Sequence, residues 1–248
     1  MDMAAYFSPP EIMDCKRVLC IQPHPDDNEI GMGATIAALA ARGCEVHYLT
    51  VTNGDLGLTA PGMTHEHLAA LRRAEAMAAG KVLGVEHFHF WEEPDGSLQD
   101  VPALAARMGE LIRTIQPDAV FCPDPWAQYE AHFDHIVTGR AAAQAFIASS
   151  LMAYPRGTQT APWTCKAIGF YFTQAPNTIV DVTDTLEAKF AAMAEHRTQL
   201  DDESLGLYKV YFGMQAQKLG VQKGYALGEG FKVLSGMHLH CFAEAPGI

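Results

Sequence analysis

The chain has 248 residues, of which 49% are hydrophobic and 19% charged, with a formal charge of −12. This balance fits a soluble globular chain with a sizeable core, and the acidic charge argues against a nucleic-acid partner, which needs a basic face. No apolar run approaches the ~20 residues needed to span a bilayer, so no membrane partner is expected either.

In chain order, residues 1–16 read as an irregular arm, with no basic segment followed by an apolar core and hence no secretory signal. Residues 17–23 are a short apolar run, predicted as a buried strand. Pro23 and Pro25 break it by removing backbone donors, and a first helix is predicted over 31–42, ending at Gly43. Residues 44–52 are a second strand ending in the turn signal Asn53-Gly54-Asp55. Residues 55–63, with Gly57, Pro61 and Gly62, are a loop at the same sheet edge as His24. Thr64 then caps a long helix reaching Gly84, with His65 and His67 on its surface.

Residues 85–91 are a third strand in which His87 and His89 share a face and are read as structural. Residues 92–97 return to the ligand edge as a loop. Residues 98–115 are an amphipathic helix burying Leu104, Met108, Leu111 and Ile112, and 119–122 are a fourth strand closed by Pro123-Asp124-Pro125. The loop 126–131 delivers His132-Phe133-Asp134-His135 to the start of an Ala-rich helix. Beyond residue 150, the runs 167–172 and 178–182 read as a small antiparallel addition, 185–199 and 203–220 as helices, and 230–242 as extended. Strand and helix alternating in this way predict an α/β fold: a Rossmann-like, mostly parallel sheet with helices on both faces. With no linker or repeat in sight, one domain over 1–248 is expected, its C-terminal part adding short strands and two helices. Six scattered cysteines without a Cys-x-x-Cys suggest reduced thiols and a cytoplasmic location.

The chemistry concentrates after the first strand. Pro23-His24-Pro25-Asp26-Asp27 places one imidazole and two carboxylates at the carboxyl end of a buried strand, where open α/β sheets bind ligands. His24 and Asp27 can turn inward to hold a divalent metal while Asp26 stays free as a base. A dinucleotide loop fits worse, because Ile36 stands where the third glycine of that fingerprint would be. His132 and His135 are three apart, share a helix face, and can bring one ring to the metal.

Pro23-His24-Pro25-Asp26-Asp27 followed by Glu29-Ile30-Gly31, with His132-Phe133-Asp134-His135 about a hundred residues later, resembles the PIG-L/LmbE-like family of zinc-dependent N-deacetylases. The resemblance implies Zn2+ held by His24, Asp27 and His135, with Asp26 as the general acid-base. Asp26 beside a cation is then expected to have a lowered pKa. His132 is left to stabilise the oxyanion and Asp134 to orient an imidazole. Arg72 and Asp95 resemble positions that contact a sugar, although Arg72 can equally pair with Glu75 on its own helix. His238 and His240, expected on one strand face, are candidates for a C-terminal histidine near the substrate. The expected substrate is a small N-acetylated amino sugar containing N-acetylglucosamine, and relatives that form trimers or hexamers raise a homo-oligomer. The competing readings are a hydratase or lyase acting on an unsaturated dicarboxylate, and a non-catalytic nucleotide-binding module without metal.

Overall fold

The computed structural model describes residues 7–58 and 61–248; residues 1–6 of the N-terminal arm and 59–60 of the 55–63 loop lie outside the described residues. Seven strands form one sheet: β1 (Arg17–Gln22), β2 (Glu45–Thr52), β3 (His87–Glu93), β4 (Ala119–Pro123), β5 (Ala167–Tyr171), β6 (Thr178–Asp181) and β7 (Gly228–Leu234). Their spatial order is β3-β2-β1-β4-β5-β7-β6. β1 to β5 are parallel, whereas β7 runs antiparallel to β5 and to β6. The fold is therefore α/β with a mostly parallel sheet.

β1 shows why its run is continuously apolar. Val18 and Cys20 face one core while Leu19 and Ile21 face the other, so a strand covered on both sides needs no polar alternation. Helices α1 (Asp27–Ala41), α2 (His65–Val82), α5 (Leu186–Met193) and α6 (Asp202–Val221) lie over the first face. Helices α3 (Val101–Ile115) and α4 (Phe133–Ala148) lie over the second. A buried ion pair ties the C-terminal part to the first helix: Lys189 Nζ lies 2.7 Å from Glu229 Oε1, and Glu229 Oε2 accepts the Thr35 amide at 2.8 Å.

Several elements depart from the sequence reading. α1 starts at Asp27, four residues before the expected Gly31, because Asp27 and Glu29 occupy a helix first turn, where the dipole favours carboxylates. Gly31 serves packing: a Cβ there would sit 2.3 Å from the Tyr171 ring, whose hydroxyl donates to the Ile21 carbonyl. β3 is shifted two residues later than 85–91. β5 is the fifth parallel strand rather than part of an antiparallel addition; apolar periodicity carries no information on pairing direction. α5 stops at Met193, since Thr198 is drawn off to Glu75, its amide and hydroxyl donating at 2.9 and 2.6 Å. The extended reading of 230–242 holds only to Leu234. Beyond it a turn forms in which His238 Nδ1 accepts the Ser235 amide at 3.0 Å. Thr64 caps α2, accepting the His67 amide, and His65 and His67 are exposed as expected.

Candidate active site

The strand order turns back at the β1/β4 boundary, and the carboxyl edge at such a switch point is where open sheets form a crevice. Both sequence motifs arrive there, His24 to Asp27 after β1 and His132 to His135 after β4. The first loop is fixed by buried polar contacts. Pro23 O accepts the Thr52 amide and hydroxyl, each at 2.8 Å, and Gln22 Oε1 accepts the Asn28 amide at 2.8 Å. Asp26, at φ 146°, ψ −21°, occupies a region disfavoured for side-chain-bearing residues. Strain of this kind costs about 1–3 kcal/mol and persists where the surroundings over-determine it.

Asp27 sits between two imidazoles. Its Oδ2 is 3.2 Å from His24 Nδ1 and also accepts the His24 amide at 2.8 Å; its Oδ1 is 3.2 Å from His135 Nε2. Each ring turns its other nitrogen to further carboxylates. His24 Nε2 is 3.1 Å from Asp95 Oδ1 and 3.4 Å from Asp134 Oδ2, and His135 Nδ1 is 3.3 Å from Glu130 Oε2. Two imidazoles and a carboxylate are donors of the kind that can hold a divalent cation, and ligating imidazoles commonly present their second nitrogen to a carboxylate. Around His24, the groups of donor atoms that lie within 4.8 Å of one another among the described residues are His24 with His132 and His135, and His24 with Asp95 and Asp134.

The electrostatics agree with a site shaped for positive charge. Burial disfavours a charged His24, but Asp134, Asp27 and Asp95 override it and push its pKa up to about 12. Burial likewise opposes ionised Asp27, yet His135 and His24 hold it well below the usual carboxylate range. His135 is raised against its burial by Asp27, and His132 is lowered by burial and by the neighbouring His24 and His135. A divalent cation would supply the charge these carboxylates draw from protonated imidazoles.

The lowered pKa expected of Asp26 rests on a neighbouring cation; among the protein's own groups burial dominates and raises it to about 6, with Arg72 pulling down and Asp27 pushing up. Arg72 is engaged by the protein's own groups. It is buried, its Nη2 donates to Asp26 Oδ2 at 3.1 Å and Pro25 O at 3.0 Å, and its Nη1 donates to Gly54 O at 2.8 Å. These contacts engage the guanidinium with the protein's own loops and hold Asp26, while Glu75, the expected helical partner, bonds Thr198 instead. Asp95 faces His24 rather than open solvent, and its amide donates to Asp55 Oδ1 at 3.2 Å.

His132 caps α4 and is exposed at the mouth, its ring centroid 4.4 Å from that of His24. Asp134 is fully buried and accepts the Gly96 and Leu98 amides at 2.7 and 3.3 Å, tying the loop after β3 to the histidines. His238 and His240 lie elsewhere. They are in the turn after β7, not on a strand face; His238 lines a separate cavity with Trp126 and Lys232, and His240 is exposed.

The crevice is about 420 Å³ and open to solvent, with Leu56, Gly57 and Gln199 completing its wall around His24, Asp26, Arg72, Asp95 and His132. Glu130, Asp55 and Gln199 were not singled out from the sequence. Glu130 carried a local signal, standing two residues before His132 and accepting its amide at 2.7 Å. Gln199 carried none, since it reaches the Gly57 carbonyl from 142 residues away.

Several known proteins similar to this chain are deacetylases. The family described as PIG-L, GlcNAc-PI de-N-acetylase, matches residues 19–146. A diacetylchitobiose deacetylase of Thermococcus kodakarensis is 34% identical over 92% of this chain and 86% of its own length. A 1D-myo-inositol 2-acetamido-2-deoxy-alpha-D-glucopyranoside deacetylase of Kineococcus radiotolerans is 26% identical over 75% of this chain and 69% of its own. Among solved structures, the N,N'-diacetylchitobiose deacetylase of Pyrococcus horikoshii, complexed with its inhibitor MPG, is similar with a TM-score of 0.89 at 35% identity, covering 95% of this chain and 90% of that one.

Proposed function

This chain belongs to the PIG-L family, and on that premise we propose that it is a zinc-dependent hydrolase removing the acetyl group from an N-acetylated amino sugar, a small molecule carrying N-acetylglucosamine. The observation that carries the proposal is Asp27 between His24 and His135, with a second carboxylate, Asp26, held by Arg72 next to it in an open crevice.

His24, Asp27 and His135 would hold the zinc, three protein ligands being the usual number where one position is kept for water or substrate. Zinc there supplies Lewis acidity, lowering the pKa of a water toward ~7 and polarising an amide carbonyl. Asp26 takes the proton of the attacking water and returns it to the departing nitrogen as the C–N bond breaks, giving acetate and a free amine. Arg72 fixes the orientation of Asp26. His132, neutral and at the mouth, is placed to donate to the carbonyl oxygen as it gains charge. Asp134 and Asp95 fix the His24 ring, and Glu130 that of His135.

The wall favours a neutral substrate and a cationic amine product. Asp26, Asp27 and Asp95 line it, and the one arginine in it, Arg72, is engaged by Asp26 and two carbonyls. That charge disfavours the unsaturated dicarboxylate of the hydratase reading, whose two carboxylates need cationic partners. The proposal takes the whole chain as one catalytic unit in the cytoplasm. Six free thiols support that location, and among the described residues no helix is long and apolar enough to cross a membrane. Self-association is part of the same reading, supported by Leu207, Val210 and Met214 exposed along α6.

The test is acetate and amine release from N,N'-diacetylchitobiose and other N-acetylglucosamine conjugates, with and without chelator. Release that chelation abolishes and zinc restores is expected. Turnover that survives complete metal removal, or hydration of an unsaturated dicarboxylate without any deacetylation, would overturn the proposal.

A further inference from the structure

A second group of ligating side chains lies at the opposite edge of the sheet, at the amino ends of β2 and β3. His47 and His87 are direct partners in the parallel ladder, and Glu45 stands two residues before His47 on the same face. Glu45 Oε1 is 2.8 Å from His47 Nε2 and 3.6 Å from His87 Nε2, and the three donor atoms lie within 4.8 Å of one another. Behind them His47 Nδ1 is 3.2 Å from His89 Nε2. None of these residues lines the crevice around His24.

We propose that Glu45, His47 and His87 form a second metal site, for a borderline transition ion such as Zn2+, Co2+ or Ni2+, that clips the edge strand β3 to β2. The donor set decides the class of ion: two imidazoles and one carboxylate suit these ions, whereas Mg2+ and Ca2+ prefer oxygen ligands throughout. The spacing fits, since the 2.8 and 3.6 Å separations lie near the ~3.3–3.6 Å between ligands of a tetrahedral ion. His89 fills the outer position that fixes a ligand's tautomer. With the ion on His47 Nε2, the ring proton sits on Nδ1 and is donated to His89 Nε2.

The rings of His47 and His87 are parallel within 12° at a centroid separation of 4.3 Å, so binding turns the His87 ring until its Nε2 meets the shared ion. His87 can do this because its side chain is 44% exposed, and Glu45, at 38%, is equally free to adjust while Arg17 holds its second oxygen at 3.0 Å. An ion bound only by the folded chain stabilises it by mass action. Here the gain falls on an edge strand whose far end leads into Asp95.

The experiment counts metal in tag-free protein that has been stripped with chelator, equilibrated with zinc and desalted. The double variant E45Q/H87Q is expected to carry one equivalent less than wild type per chain while its deacetylase activity and circular dichroism stay unchanged. That difference does not depend on how much metal the His24 site holds, so it stands or falls separately from the proposed reaction. Equal metal counts in the two proteins would overturn the second site. Ring nitrogen resonances provide the check on wild type itself: zinc should shift those of His47 and His87, and rings left unmoved at saturating zinc overturn the proposal independently of any variant.

Discussion

Replacing Arg72 separates a residue that positions the base from one that binds sugar. Arg72 Nη2 lies 3.1 Å from Asp26 Oδ2, both side chains are largely buried, and the pair is the main force opposing the burial that raises Asp26 to about 6. An adjacent arginine typically lowers a carboxylate by about 1–3 units. Arg72→Met removes the charge at similar volume, so the acid limb of the kcat/KM profile should move up by about 1–3 pH units. The sign follows from the role: a base works ionised, so activity falls as pH drops through its pKa, and a higher pKa brings that fall to a higher pH. Turnover on the acid side of the limb should therefore fall and recover in alkaline buffer. A bound cation lowers Asp26 in both proteins, so the displacement of the limb is the readout. Arg72→Lys, which keeps the charge but not the forked contacts with Gly54 and Pro25, should leave the limb near its wild-type position. An Arg72→Met enzyme with an unmoved limb and a raised KM would refute the reasoning and return Arg72 to substrate binding.

Asp26→Asn keeps the shape and removes the basic oxygen, so zinc content should be normal while acetate release drops by roughly 10²–10⁴-fold; a zinc-loaded variant with near-normal turnover would move the base elsewhere, with His132 the next candidate. His135→Ala and Asp27→Asn should lose zinc, and His132→Ala should retain it and turn over slowly; atomic absorption beside activity distinguishes these, and the reverse pattern would exchange the roles of the two histidines. Away from the site, Lys189→Met leaves Glu229 buried without its cation and should cost about 3–5 kcal/mol in denaturant unfolding, whereas the double change with Glu229→Gln should recover much of that loss.

Much of the sheet is legible in the sequence because its strands are buried on both faces. β1, β2 and β4 lie within a residue or two of their expected bounds, being apolar runs closed by Pro, Asn-Gly or Pro-Asp-Pro. What fails is what local pattern cannot encode. The acidic run after Pro25 reads as loop when its carboxylates are taken only as ligands, yet Asp27 and Glu29 also satisfy a helix start. The run after Leu234 is as apolar as a strand, and it turns instead, closed by His238 on Ser235. At the site, the two motifs converge because each follows a strand at the sheet's switch point, a consequence of topology that alternation already implies. The engagement of Arg72 with Asp26, of Asp95 with His24 and of Gln199 with Gly57 depends on how separate loops meet, and no spacing in the chain announces it.

The central claim is that His24, Asp27 and His135 hold the catalytic ion and leave Asp26 free. Anomalous diffraction at the zinc absorption edge, from crystals of the zinc-loaded protein, tests it directly. A peak is expected within bonding distance of His24, Asp27 and His135, with Asp26 outside that distance and still paired to Arg72. A peak held instead by His24, Asp95 and Asp134, or one ligated by Asp26, would contradict it.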